Sequence, residues 1–462
     1  MAEYNVAVIG GGPGGYTSAL RAAVLGARVC LVEKTYLGGT CLNVGCIPTK
    51  ALLHTSEMLH AMQHADAFGL ATGGTPSVDF AKVMKRTREV VGQLTGGVGQ
   101  LLKARKVDVL MGAARLLGGG KIEVADADGK TQTVTAENII IATGSEPARP
   151  AVFPFDGKQV VTTDEATTSD ALPEEILIVG GGIIGCEFAT VYSELDCKVT
   201  VVEMLDALCP GLDKDIARAV GKSLKARGVD VKVGTKITEM TVKGKTVTAK
   251  VEGGEDVTAG MALVAVGRVP ATEGIGLEAA GVEVDGRLIR VDDQCRTNVA
   301  GIFAIGDCAC VQQYAHVASR MGAVAAENAC GHDAADRLTV VPSGIYTHPE
   351  IGMVGQSEAA ARQSGAEVKV VKFPLTASGM ARAFGETAGM VKLVADAATG
   401  EILGAVCVGP HATDVVHEIA VAMKNELTVE EIAETIHAHP TFSEAVLEAA
   451  ELWLGKPVHT VG

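Results

Sequence analysis

The chain has 462 residues, enough for about three domains at roughly 150 residues apiece. Hydrophobic residues make up 47% and charged residues 21%, a balance that excludes disordered and low-complexity classes. The 40 Lys and Arg against 55 Asp and Glu leave a net charge of -15, which repels a phosphate backbone and sets nucleic acid aside as a partner.

In chain order, Met1-Ala2-Glu3-Tyr4-Asn5 has no basic stretch and leads directly into strand-like Val6 to Ile9. No segment approaches the run of about 18 apolar residues that spans a bilayer. The expectation is a soluble, non-exported protein of the cytoplasm, or of an organelle matrix after loss of a transit segment. Most of its 11 cysteines should then be reduced and inert.

Glycines 10, 11, 12, 14 and 15 follow the first strand, then a helix from Tyr16 to Leu25 and a strand from Arg28 ending at Glu33. Helices are expected from Pro48 to Gln63 and from Phe80 to Ala104. A hairpin-rich stretch spans 106–135, and a buried-type strand spans Asn138 to Gly144. The opening pattern then recurs: strand Ile176 to Val179, glycines 180, 181, 182 and 185, a helix to about Glu194, and a strand from Lys198 ending at Glu203. The chain thus carries an internal duplication. Strands follow at 230–236, 245–252 and 263–268, a helix at 315–330, and from Val341 a third unit of hairpins and amphipathic helices ending at Glu444 to Trp453.

Each Gly-x-Gly-x-x-Gly lies between a strand and a helix, the arrangement that cradles a pyrophosphate at a helix N-terminus. Glycines 10, 12 and 15 form one copy and 180, 182 and 185 the other. Glu33 and Glu203 each stand 21 positions after the middle glycine, the offset of an acid that accepts ribose hydroxyls. Met204 to Leu208 contain no Arg or Lys to pair a 2′-phosphate, so the second cradle favours NAD over NADP.

The run Gly38-Gly39-Thr40-Cys41-Leu42-Asn43-Val44-Gly45-Cys46-Ile47-Pro48-Thr49-Lys50 follows the first acid. Residues five apart sit on different faces of a regular helix, so any pairing of Cys41 with Cys46 needs an irregular segment, which Asn43 and Gly45 permit. Pro48 suits a first helical turn, which places Cys46 near a helix N-terminus where a thiolate is stabilised. From the residues alone, a redox pair, a structural disulfide and half of a metal site all stay open. No second Cys or His pair at zinc spacing accompanies it, so no metal is expected.

This run resembles the active-disulfide signature of the flavin-dependent pyridine nucleotide-disulfide oxidoreductases, and most closely the branch that oxidises dihydrolipoamide with NAD. The resemblance extends over the chain through Ala142-Thr143-Gly144-Ser145, Gly267-Arg268-Val269-Pro270, Phe303-Ala304-Ile305-Gly306-Asp307, Tyr346-Thr347-His348-Pro349-Glu350 and His437-Ala438-His439-Pro440-Thr441-Phe442-Ser443-Glu444. It implies an α/β fold with two Rossmann-like units, an NAD unit (148–267) inserted in an FAD unit (1–147 and 268–338), and an α+β dimerisation unit (339–462). It implies FAD in the first cradle, served also by Gly112, Thr143, Gly144, Ser145, Asp307 and Ala315, with Lys50 beside the flavin N5 and paired to Glu187. NAD would lie in the second cradle, with Gly267. Cys41 would attack the substrate and Cys46 would face the flavin. The implied partners are lipoyl groups, a second copy of the chain, and a 2-oxoacid dehydrogenase or glycine cleavage complex.

Oxidising a dithiol needs a base with a pKa near neutrality. The resemblance places that role on His439, oriented by Glu444, with His437 the nearest rival. Taken alone, Thr441 to Glu444 reads as a capping box. In the family the last unit of one subunit completes its partner's site, so an obligate homodimer is expected. A glutathione-reductase-like use of NADPH would need arginines after Glu203, and a redox-inert flavoprotein scaffold would not need Cys41, Cys46 and His439. Two departures stand out. Val311-Gln312-Gln313-Tyr314 replaces the family's Gly-Pro-Met-Leu, and Cys308 and Cys310, read as spare thiols, precede it.

Overall fold

A computed structural model describes residues 3–461. The first unit is built on parallel strands Tyr4–Ile9, Val29–Glu33 and Asp108–Met111, with Thr131–Ile141 and Ile302–Ala304 continuing the sheet. Its apolar runs are continuous because both faces are covered. Val6 and Val8 pack with Ala19 and Met321 of the helices Pro13–Val24 and Ala315–Ala329, whereas Ala7 and Ile9 pack with Leu116, Ile122 and Val134 of an antiparallel meander.

The second unit repeats this plan. Strands Asp230–Lys232, Lys198–Val202, Glu175–Val179, Met261–Val264 and Val160–Val161 form a parallel sheet in that order. Ile176 and Ile178 face Phe188 and Tyr192 of the helix Ile183–Glu194, while Leu177 and Val179 face Val247, Ala249 and Val257 of a second meander. The duplication therefore extends from glycine pattern to core packing.

From Ser343 onward five antiparallel strands form a separate sheet. The helices Ala412–Lys424, Val429–Glu434 and Glu444–Trp453 cover one face. Ile345, Ile351, Val406 and Val408 on the other join the core of the second unit. At that junction Lys392 is 2% exposed, with its ammonium 2.9 Å from Asp213 and 3.0 Å from both Asp215 and Glu358.

Several element bounds differ from expectation. The first helix starts at Pro13, whose fixed φ suits the opening turn after extended Gly12. The helix expected from Pro48 starts at Cys46. Asp108–Met111, expected within a hairpin stretch, is the parallel edge strand. The strand expected over 263–268 divides: Met261–Val264 stays in the sheet, and Arg268–Pro270 pairs antiparallel with Ser145–Pro147 in a ribbon where the chain crosses between the first two units. Among the described residues, no helix is long and apolar enough to cross a membrane.

Candidate functional site

A cavity of about 1190 Å³ opens between the first two units. It is lined by Gly10, Gly12, Glu33, Cys41, Cys46, Lys50, Gly112, Thr143, Gly144, Ser145, Glu187, Asp307 and Ala315, so most of the expected residues of the first cradle face one space. Gly15 lies behind it. Gly180, Gly182, Gly185, Glu203 and Gly267 do not line it and belong to the second loop.

In each cradle the three glycines meet different constraints. Gly10 and Gly180 have φ of +103° and +105°, and a Cβ there would lie 2.3 and 2.5 Å from the carbonyl oxygens of Ala142 and Ala265. A Cβ on Gly15 or Gly185 would lie 1.8 or 1.9 Å from the carbonyl oxygen of Gly10 or Gly180, so the helix start packs directly on the turn. The middle glycines are different: a Cβ on Gly182 would meet nothing within 4 Å, and on Gly12 only Gly39 Cα at 3.9 Å. The protein itself does not require glycine there, whereas a pyrophosphate lying on the loop does.

Both acids brace their loops. Gly11 N–H donates to Glu33 Oε2 (2.6 Å) and Thr35 N–H to Oε1 (2.7 Å). Gly181 N–H donates to Glu203 Oε2 (2.6 Å) and Leu205 N–H to Oε1 (2.7 Å). Glu33 Oε1 also accepts from Thr35 Oγ1 (3.0 Å), so a lone pair for a ribose hydroxyl is left on Glu33 Oε2 and on both oxygens of Glu203.

The thiols sit where a short helix, Gly39–Asn43, breaks and Cys46 opens the helix Cys46–Gln63. The break is held by Asn43 Nδ2 donating to Leu37 O and Gly39 O (2.9 Å each), and by Thr167 Oγ1 of the second unit donating to Val44 O (2.9 Å). Cys41 and Cys46 are both free thiols. The Cys41 S–H donates to the Cys46 sulfur, which keeps Cys41 protonated and, with Lys50 adding to it against burial and Glu187, brings Cys46 down to about 7. Cys46 is therefore the thiolate of the pair near neutral pH.

Lys50 Nζ lies 2.8 Å from Glu187 Oε2, an ion pair joining the first two units. The third unit reaches it as well: Tyr346 N–H donates to Glu187 Oε1 (3.0 Å), and the Lys50 ammonium lies 4.4 Å from the centre of the Tyr346 ring. Ser145 Oγ donates to Asp307 Oδ2 (2.6 Å) and accepts from Arg268 Nε (2.7 Å). Arg268 and Tyr346 are not among the expected site residues, although each stands in a quoted motif. Tyr346's contacts cross between units and Arg268 meets Ser145 across a long chain separation, which spacing does not encode.

Thr143 Oγ1 is buried with no partner except the weakly accepting Cys308 sulfur beside it, and it faces the cavity where a polar ligand would satisfy it. With the open middle glycines and the free N–H groups at the start of the helix Ala315–Ala329, the first cradle fits a dinucleotide. Cys308 is fully buried, and burial raises its thiol and that of Cys310. In the departing segment, Val311 is exposed and Gln313 lines the cavity. Among the described residues, no group of His, Cys, Asp and Glu is placed to hold a metal ion.

His439 does not line the cavity and its side chain is 77% exposed. Its Nδ1 lies 2.8 Å from Glu444 Oε1, and Thr441 N–H donates to Oε2 (2.7 Å). Glu444 thus orients the imidazole and ties down the turn at Thr441. The capping box read from Thr441 to Glu444 does not form: the helix starts at Glu444, its N-cap Ser443 makes no side-chain cap bond, and Thr441 Oγ1 donates to Ala438 O (2.8 Å). Against burial, the bonds from His439 and the Thr441 N–H hold the Glu444 carboxyl below the usual range. A carboxylate can only accept, so Nδ1 carries the proton and Nε2 is left basic. The rival, His437, is tied to Glu418 Oε1 (2.7 Å) and Thr435 O (2.8 Å).

The chain is 41% identical to dihydrolipoyl dehydrogenase of Geobacillus stearothermophilus and 44% identical to that of Halobacterium salinarum, each alignment covering 99% of this chain and 98% of the relative. Its fold superposes on LpdA from Mycobacterium tuberculosis with a TM-score of 0.91 at 30% identity, covering 97% of this chain and 99% of that one. It superposes on the HOCl-induced flavoprotein disulfide reductase RclA from Escherichia coli with a TM-score of 0.86 at 28% identity, covering 97% and 99%. Residues 4–322 match the family described as pyridine nucleotide-disulphide oxidoreductase, and residues 341–450 match the dimerisation domain of the same family. A match of this length, on a chain with two dinucleotide cradles flanking a thiol pair, leaves one conclusion: the chain belongs to the pyridine nucleotide-disulphide oxidoreductase family.

Proposed function

We propose that this FAD- and NAD-dependent oxidoreductase reoxidises dihydrolipoyl groups, acting as the dihydrolipoyl dehydrogenase component of a 2-oxoacid dehydrogenase or glycine cleavage complex in the cytoplasm. The observation that carries this reading is the thiol pair in the cavity, its Cys46 member held as thiolate beside the Lys50–Glu187 pair. Full-length relatives named dihydrolipoyl dehydrogenase support the choice of substrate.

FAD would be held by Gly10, Gly12, Gly15, Glu33, Gly112, Thr143, Gly144, Ser145, Asp307 and Ala315, and NAD by Gly180, Gly182, Gly185, Glu203 and Gly267. When bound, the flavin supplies two-electron transfer from the protein dithiol to the pyridine nucleotide. In the oxidised enzyme Cys41 and Cys46 form a disulfide. His439 Nε2 removes a proton from the substrate dithiol, and the resulting thiolate attacks Cys41 Sγ, expelling Cys46 as thiolate. The second substrate sulfur then displaces Cys41, which takes up a proton and leaves the substrate as a disulfide. Lys50 stabilises the negative charge that collects on Cys46, and Glu187 holds Lys50 in place.

His439 lies outside this chain's cavity, so it serves a second copy of the chain across a homodimer, consistent with the dimerisation domain at 341–450. The direct test supplies dihydrolipoamide, a reduced lipoyl domain or reduced glutathione with NAD⁺ or NADP⁺ and follows nicotinamide reduction. Turnover with both lipoyl donors and NAD⁺, and little with glutathione or NADP⁺, is the expected result. Reduction that proceeds as well with glutathione or NADP⁺ overturns the assignment.

A further inference from the structure

We infer that Tyr346 is a positioning residue for the thiolate, acting from the third unit through Lys50 and Glu187. This deepens the proposed function and rests on it. Tyr346 does not line the cavity, yet it touches both members of the pair that does. Its backbone N–H takes one oxygen of Glu187 (3.0 Å), leaving the other, at 2.8 Å, for Lys50. Its ring face receives the Lys50 ammonium at 4.4 Å from the ring centre.

The two contacts divide the work. Glu187 is buried, and because its own charge raises Cys46 while Lys50 lowers it, the thiolate depends on where Lys50 sits between them. A second carboxylate would hold the ammonium firmly but would cancel its field at sulfur. An aromatic face attracts a cation without neutralising it and accepts no proton. Tyr346 thus steadies the ammonium from a second side while Glu187 holds it at 2.8 Å, and adds no further negative charge to cancel its field at Cys46. The backbone bond to Glu187 is independent of side-chain identity, so substitution at 346 isolates the ring.

The test uses the flavin-loaded enzyme, reduced anaerobically with one equivalent of dihydrolipoamide, with the long-wavelength thiolate-to-flavin absorbance titrated against pH. Tyr346→Phe should overlay the wild type. Tyr346→Leu should move the midpoint upward by about half a unit, the size that loss of one partly exposed cation–π contact allows. Should the leucine variant fold poorly, phenylalanine with one, two and three ring fluorines at 346 keeps the volume while weakening the ring face, and the midpoint should climb with each fluorine. A wild-type midpoint in Tyr346→Leu, an unmoved fluorine series, or an equal shift in Tyr346→Phe overturns the role of the ring. Absence of the band in the wild type overturns the proposed function along with it, which keeps the two failures apart.

Discussion

At the residue scale the chemistry rests on a difference between two like side chains. Cys41 and Cys46 are both thiols, but the hydrogen bond between them and the nearby Lys50 make one an acid and the other a held proton. Removing the donor should therefore be felt at Cys46. In Cys41→Ala the Cys46 thiolate should form at clearly higher pH than in Cys41→Ser, whose hydroxyl still donates. Thiolate absorbance in the ultraviolet checks this, and coincident titrations would assign the shift to Lys50 alone. A second cysteine pair is the natural control. Cys209 Sγ lies 3.9 Å from Cys186 Sγ, but both are buried, at 2% and 0% exposure, and the Cys186 S–H is spent on Gly181 O (3.3 Å). Peptide mapping after brief alkylation at neutral pH should find label at Cys41 or Cys46 and none at Cys186 or Cys209.

At the element scale, the two strand–loop–helix cradles were legible from spacing alone, including the acids 21 residues on. The space around each missing Cβ separates the structural glycines from the one that a ligand requires. Gly185→Ala places a methyl 1.9 Å from Gly180 O and must displace the loop, so the second unit should lose pyridine nucleotide binding and melt earlier. Gly182 has an ordinary φ of −70° and open space around its missing Cβ, so Gly182→Ala should keep the wild-type melting temperature and raise KM for NAD. Equal melting losses in both would refute the distinction. Glu444 teaches a related lesson. Capping and histidine orientation looked like competing readings of one residue; the helix starts at Glu444 without a side-chain cap, and its two carboxylate oxygens instead hold the His439 ring and the Thr441 N–H.

At the scale of the whole molecule, the second and third units are clamped by a buried charge. Lys392 lies among Asp213, Asp215 and Glu358, and replacing it with methionine leaves carboxylates uncompensated at a buried junction, at a cost of about 3 kcal/mol measured by denaturant unfolding. The pH dependence has a definite sign. Burial works to raise Asp215, but Lys372 and Lys392 hold it below the usual range; Lys392 likewise lowers Glu358 against its burial. Groups with depressed folded values stabilise above their unfolded pKa and lose that contribution as pH falls through the folded one. Stability should therefore drop below about pH 4, and Lys392→Met should flatten that drop. Assembly gives the last prediction. Inactive Cys41→Ser and inactive His439→Ala proteins, mixed and allowed to exchange subunits, should regain about a quarter of wild-type turnover, since half the dimers would hold one intact site of two. A site completed within one chain would regain none.

Residue order alone encodes the local units: two glycine turns between strand and helix, the irregular thiol segment opening a helix, and the order of the three folded parts. These are encoded over a few tens of residues, where backbone geometry and side-chain period act directly. Which distant groups meet depends on how the folded parts pack. Lys50, Glu187 and Tyr346 come from three different units, Ser145 joins Asp307 to Arg268, and Lys392 gathers carboxylates from two units. Such contacts exist only after sheets twist and pack, because nothing in a linear spacing fixes the distance between residues that separate folding units bring together.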